Sequence, residues 1–128
     1  MDGGSAGRRR TLDALDAAGL QHTGADRSEE DGRGVRSRPT AGAKIAGIDA
    51  TYGLNGQLPE AAWQVDMLDP EVMIAKAKKA RALGADIVLG AMHAGDEYSS
   101  APNAEQESVA HALADSGQFT MIYGHHTH

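Results

Sequence analysis

"DPEVMIAKAKKARALGADIVLGAMH", residues 69–93, decides the fold class. Its first half carries the marks of a helix. Asp69 is a good N-cap acceptor, Pro70 suits the first helical position, and Glu71 favours the positive end of the helix dipole. Lys76, Lys78, Lys79 and Arg81 load the negative end, and Gly84 closes it. Ile74, Ala77 and Ala80 recur at helical spacing, with Val72 and Leu83 adding apolar surface. The run "DIVLGAMH" that follows is almost continuously apolar, as a strand covered on both faces must be. The stretch therefore predicts a helix over 70–83 feeding a strand over 86–92.

The same alternation extends both ways. Upstream, "AKIAGIDATY" holds Ile45 and Ile48 with the β-favouring Thr51 and Tyr52, which predicts a buried strand near 44–51. Downstream, "NAEQESVAHALADSG" predicts a helix near 103–116, with Asn103 or Ser100 at its start and Gly117 past its end; "QFTMIYG" predicts a strand near 118–123. Strand, helix, strand, helix, strand implies an α/β layer with a parallel sheet and right-handed crossovers. Before it, "RRRTLDALDAAGL" reads as a short helix ending at Gly19, with Arg8, Arg9 and Arg10 on an exposed face. "GADRSEEDGRGVRSRPTAG" reads as a long polar loop, and "GLNGQLPEAAWQVDML" as irregular and turn-rich. There is no internal repeat and no domain linker.

Composition narrows the function classes. The 128 residues suit one domain, and 41% hydrophobic with 23% charged residues is a globular balance. With formal net charge −6 and a single basic cluster at residues 8–10, nucleic acid is a poor partner. No cysteine is present, so disulfides and thiolate metal sites are excluded. No stretch resembles a signal peptide or a membrane span.

In open parallel sheets, ligands bind beyond the carboxyl ends of the strands. Two strands here end in histidine-bearing loops. "MHAGDEY" supplies His93, Asp96 and Glu97; "GHHTH" supplies His125, His126 and His128. Both loops are expected on one edge of the sheet, with His93 and His126 emerging together. Neutral imidazole and carboxylate together suit zinc, manganese or iron. Gly95 and Gly124 are expected to let the backbone turn sharply beside an ion. Each feature also has an ordinary reading. A single histidine after a strand is commonly a capping residue, paired acidic loop residues are commonly a solvated turn, and a terminal histidine cluster resembles a tag remnant, though Thr127 interrupts it. His22 and His111 are assigned to structure or solvent.

At these two loops the sequence resembles the bacterial capsule-synthesis family, the CapA or PgsA proteins of poly-γ-glutamate production, which in turn resembles the calcineurin-like metallophosphatases. "HAGDEYSSAPNAEQ" is similar to the family's histidine-glycine-x-glutamate-tyrosine loop with its following proline and glutamine, with Ala94 in place of a usual tryptophan. "GHHTH" is similar to its glycine-histidine-histidine-proline-histidine segment, with Thr127 in place of proline. "MDGGSAGRRRTLDALDAAGLQHTGA" is similar to the segment after the family's asparagine-asparagine-histidine motif, and "AGAKIAGIDATYGLNG" to the strand beyond it.

The resemblance implies a partial metallophosphatase-like α/β sandwich, with the first strands and the C-terminal part missing. Residues 1–128 read as an internal fragment of one such domain. By position it implies His93, His126 and His128 as metal ligands, with His125, Glu97 and Asp96 as further residues of the site loops. It implies two divalent cations (manganese, zinc or iron) in an intact homologue and an anionic polymer or phosphoester as substrate. Other capsule-synthesis proteins are the implied partners, and the cell envelope or extracellular face the implied location. A metal-dependent hydrolase is one implied role; a non-catalytic polyglutamate-binding or assembly component is the other. The chain alone is expected to bind metal weakly and to catalyse little.

Overall fold

The computed structural model describes residues 3–127. In chain order the elements are α1 (Gly4–Ala17), α2 (Glu29–Gly32), β1 (Ser37–Thr40), β2 (Ala43–Thr51), a 3-10 turn (Ala62–Gln64), α3 (Pro70–Ala82), β3 (Ile87–His93), α4 (Ala104–Asp115) and β4 (Met121–His125). One four-stranded sheet runs in the order β1-β2-β3-β4. The pairs β2–β3 and β3–β4 are parallel and β1–β2 is antiparallel. The expected α/β layer of parallel strands and crossover helices is therefore present, extended by one antiparallel strand.

The ends of α3 follow from its sequence. Asp69 accepts hydrogen bonds from the backbone N–H groups of Glu71 (2.9 Å) and Val72 (3.2 Å), and Gly84 leaves the helix at φ +85°. Its buried stripe is Met73, Ala77 and Ala80. Val72 and Leu83, expected to add apolar surface to the core side, are exposed instead. They lie off the stripe that faces the sheet, and small alanines on that stripe let helix and sheet approach closely. α4 starts in a reciprocal capping box between Asn103 and Gln106 and ends before Gly117 at φ +66°. Alternate residues of β2 and β3, from Ala46, Ile48 and Ala50 to Val88 and Met92, form a core with Met73, Ala77, Ala80, Val109 and Leu113. Helices α3 and α4 thus cover one face of the sheet.

Four expectations need correction. The polar stretch 24–42 is not a plain loop. Ser28 caps the single turn α2 by accepting from Asp31 N, and β1 folds back on β2 through Ala41 (φ +40°) and Gly42 (φ +90°). Two positive φ values in a two-residue loop match the twist of a hairpin. Next, α1 begins near Gly4 rather than at the arginines, and Arg8 is only 8% exposed, its guanidinium 5.4 Å from the centroid of the Trp63 ring. Third, the last strand starts at Met121 and runs to His125, because Thr120 instead turns its hydroxyl to Val88 N and to Arg81. Finally, Gly124 lies within β4, and the sharp turn falls at His126 (φ +120°) and Gly95 (φ +116°). Among the described residues, no helix is long and apolar enough to cross a membrane.

Candidate metal centre

Register places the histidines. Thr51, His93 and His125 are aligned across β2, β3 and β4, so side chains at these positions leave the same face of the sheet at its carboxyl end. The backbone ladder continues past the strands: Tyr52 N–H donates to His93 O (2.9 Å) and Ala94 N–H to His125 O (3.1 Å). His93 and His125 face each other Nδ1 to Nδ1 at 2.9 Å. The turn at His126 brings its ring to 4.6 Å from His93 and 4.9 Å from Tyr52, centroid to centroid. His93 is thereby the hub of an imidazole cluster with His125 and His126 on the expected single edge. A non-glycine residue at φ +120° is a strained conformation, of the kind that gathers at functional sites. His128, the third ligand implied by resemblance, lies outside the described residues.

The loop after β3 is clamped from α4. Gln106 donates from Nε2 to Ala94 O (3.0 Å) and accepts at Oε1 from Asn103 N–H (2.9 Å). A Cβ built on Gly95 would stand 2.5 Å from the Gln106 amide, so that position has room for glycine only. Asp96 accepts from Asn103 Nδ2 (3.1 Å), and Glu97 is exposed. Neither carboxylate lines the cleft beside the histidines.

That cleft, about 200 Å³, is walled by Thr23, Asp49, Thr51, Asp66, His93 and His125 among others. Asp66 is held there by the chain around it: its N–H donates to Gly24 O, its O accepts from Thr51 N–H, and both carboxylate oxygens accept from Lys76 Nζ at 2.6 Å. Nearby Asp26, 5% exposed, has Arg36 at 3.7 Å. Its carboxyl is raised above the ordinary range, first by burial and next by Asp66, against the opposing pull of Lys76 and Arg36. Asp49 projects from β2 on the Thr51 side, because residues two apart in a strand share a face. Burial raises its carboxyl too, with His125 pulling the other way. Sequence reading singled out neither Asp49 nor Asp66. Asp49 left a signal: a carboxylate inside an otherwise apolar strand, two residues before its end. Asp66 left none, since it sits in an irregular segment.

The donor set suits a divalent cation. Two imidazole nitrogens bound to one ion at about 2.1 Å each stand roughly 3.0–3.4 Å apart, a few tenths from the His93–His125 contact. Imidazole with carboxylate matches zinc, manganese or iron. Among the described residues, no three His, Asp or Glu side chains form a ready-made cage.

Comparison with known proteins identifies the family. A family model described as bacterial capsule synthesis protein PGA_cap matches residues 1–128. The chain belongs to that family. It is 30% identical to the capsule biosynthesis protein CapA of Bacillus anthracis over 99% of its own length and 32% of the relative's. It is 33% identical to the PGA biosynthesis protein CapA of Bacillus subtilis (strain 168), over 100% of its own length and 34% of the relative's. The chain thus spans about a third of the length of the curated relatives it matches.

Proposed function

We propose that this chain carries a divalent-cation centre at the carboxyl edge of its sheet and serves capsule synthesis as part of a metal-dependent, hydrolase-like protein acting on poly-γ-glutamate or a related polyanion. The observation that supports this most is the meeting of His93, His125 and His126, from two distant loops, at one strand edge. His93, His125 and His126 would hold the ion, with His128 two residues further along the chain. A bound cation polarises an oxyanion and lowers the pKa of a coordinated water. The chain's own part is to fix the imidazoles. The β3–β4 register sets His93 against His125, Gln106 pins the loop after His93, and Tyr52 packs on the His126 ring.

A net charge of −6 repels a polyanion at long range, so contact with one would be local to the cation. The names of the Bacillus relatives support capsule work, and with it placement at the cell envelope among other capsule-synthesis proteins. Titration of Mn²⁺ and Zn²⁺ into the chain, beside His93→Ala and His126→Ala, tests the centre: binding is expected to be weak but measurable and to fall at least tenfold in either variant. Hydrolysis of a phosphodiester and of γ-glutamyl oligomers by a metal-loaded full-length relative tests the chemistry. Metal binding without turnover of either would favour the second reading, a non-catalytic component that grips the polymer through the cation. That reading is favoured by the exposure of His125, which leaves the site open to a long chain.

A further inference from the structure

The guanidinium of Arg8 is withdrawn from water and short of acceptors. The residue is 8% exposed, and its Nε and Nη1 make no hydrogen bond among the described residues. The Trp63 ring attracts the cation from 5.4 Å, but an aromatic face does not replace the oxygen acceptors those N–H groups lost with water. Ser5, one turn earlier on α1, donates to Gln64 Oε1, which also accepts from Glu60 N–H, so that acceptor is already used. Burial, then Arg9, pull the guanidinium below its ordinary pKa, against Asp26 and Glu60, yet neither carboxylate bonds to Nε or Nη1. A buried cation is normally matched by an anion. Arg8 lines a cleft of about 680 Å³ between α1 and the bridge that pairs Ala25 with Val65. Gly3, Gly7 and Ala14 on that side of α1 are small and leave the space. Arg10 reaches it too: a Cβ built on Gly3 would stand 3.7 Å from Arg10 Nη2. The start of α1 opens there with no side-chain cap on Gly3 and no acidic residue in its first turn. In a chain of net charge −6, this cleft is lined by two arginines and, among the described residues, no carboxylate. Ala25 and Val65 also wall the cleft of His93 and His125, so the two clefts adjoin.

We propose that this cleft is an anion site in which Arg8 and Arg10 hold a carboxylate of a polyanion that extends into the neighbouring histidine cleft. The choice of polyanion rests on the function proposed above; the anion site itself rests on the arginines. The planar fork of arginine matches a carboxylate in two-point contact, and the uncapped helix start favours the same charge. The carboxylate draws the Arg8 fork off Trp63 as it takes up Nε and Nη1. A net-negative protein thereby gains a second, short-range foothold on a polyanion, one that needs no cation.

The test is titration of a linear γ-linked glutamate oligomer, and separately of inorganic phosphate, into the chain in EDTA. Calorimetry and the emission of Trp63, the chain's one tryptophan, follow binding. Arg8→Met and Arg10→Gln are titrated alongside, with thermal unfolding of each. The oligomer is expected to bind with a change in Trp63 emission, and phosphate more weakly. Arg8→Met is expected to lose binding while its Tm stays equal to or above the parent's, since unpartnered buried donors have been removed. Arg10→Gln, at an exposed side chain, is expected to weaken binding severalfold at unchanged Tm. Oligomer binding that both variants leave intact would overturn the site, and phosphate binding tighter than the oligomer would overturn the polycarboxylate as its ligand. A lowered Tm in Arg8→Met, with binding unchanged in Arg10→Gln, would also overturn it by marking Arg8 as structural. Oligomer binding that appears only with Mn²⁺ and survives both substitutions would overturn this inference and leave the metal centre standing. Arginine-dependent binding in EDTA would sustain it even if the metal titrations fail.

Discussion

The two ends of the parallel sheet are built for different purposes. At the amino end, polar groups are matched one by one. Arg81 donates to Gln118 O, Ala85 O and Asp86 O and to Thr120 Oγ1, tying the end of α3 to the starts of β3 and β4. Lys44 N–H donates to Asp86 Oδ2, and Lys44 Nζ to Leu83 O. At the carboxyl end, three imidazoles pack against one another and Tyr52, and one of them sits at φ +120°. The first end spends its polar groups on holding the fold. The second gathers imidazoles from two distant loops at one strand edge.

Removing the hub of each end should expose this difference. Arg81→Ala loses four hydrogen bonds from a partly exposed guanidinium and should destabilise the chain by about 2–3 kcal/mol in urea unfolding. His93→Ala should change stability by less than about 1 kcal/mol and act on metal binding instead. Equal losses from the two would erase the distinction.

Between the ends, Gln106 belongs to both. Gln106→Ala removes half of the α4 capping box and the bond to Ala94 O. A loss of about 1–2 kcal/mol is expected, together with weaker Mn²⁺ binding as the loop after His93 loosens. Gln106→Glu keeps the acceptor for Asn103 N–H but has no donor for Ala94 O, so it should recover part of the stability and little of the binding. Recovery of both would make Gln106 a helix cap only.

Strain at the carboxyl end gives a smaller effect of opposite sign. His126→Gly should raise stability by about 1 kcal/mol, since glycine adopts positive φ freely, whereas His126→Ala should not. Both should bind metal less well than the parent.

The smallest effect is in the pH profile. Asp26 holds its proton more tightly folded than unfolded. Its contribution is therefore most favourable below the ordinary carboxylate pKa of about 4 and declines as pH rises through the raised folded value. Asp26→Asn should flatten that decline between acid and neutral pH in a series of urea midpoints. An unchanged slope would mean that Arg36 and Lys76 already neutralise the group.

Much of this was legible in the chain. The caps of α3 and α4 are local chemistry, and Asp69, Asn103, Gly84 and Gly117 announced them. The parallel sheet with its crossover helices followed from alternation, and the shared edge of His93 and His126 from parallel pairing. The hairpin into β1 was hidden because its strand, "SRPT", is short, polar and carries a proline, so no hydrophobic pattern marks it. The burial of Arg8 was hidden because a cation resting on an indole depends on Trp63, distant in sequence. The cleft was half visible. Its histidines follow strands, but Asp66 reaches it only through Gly24 and Thr51 backbone contacts that no local pattern encodes.

Pro39 gives the sheet a direction of growth. It pairs with Lys44, whose N–H and C=O both turn away from β1 toward Asp86. In an antiparallel ladder the facing residue then turns its own backbone outward, so the nitrogen of Pro39 points off the sheet with no hydrogen to offer. Arg38 beside it adds a charge. An extra strand arriving there meets a gap in the donor row, whereas β4 on the far side has no proline and exposes Met121 and Tyr123. Strand addition, by a second copy or by another polypeptide, is thereby steered away from β1 and toward the strand that carries His125.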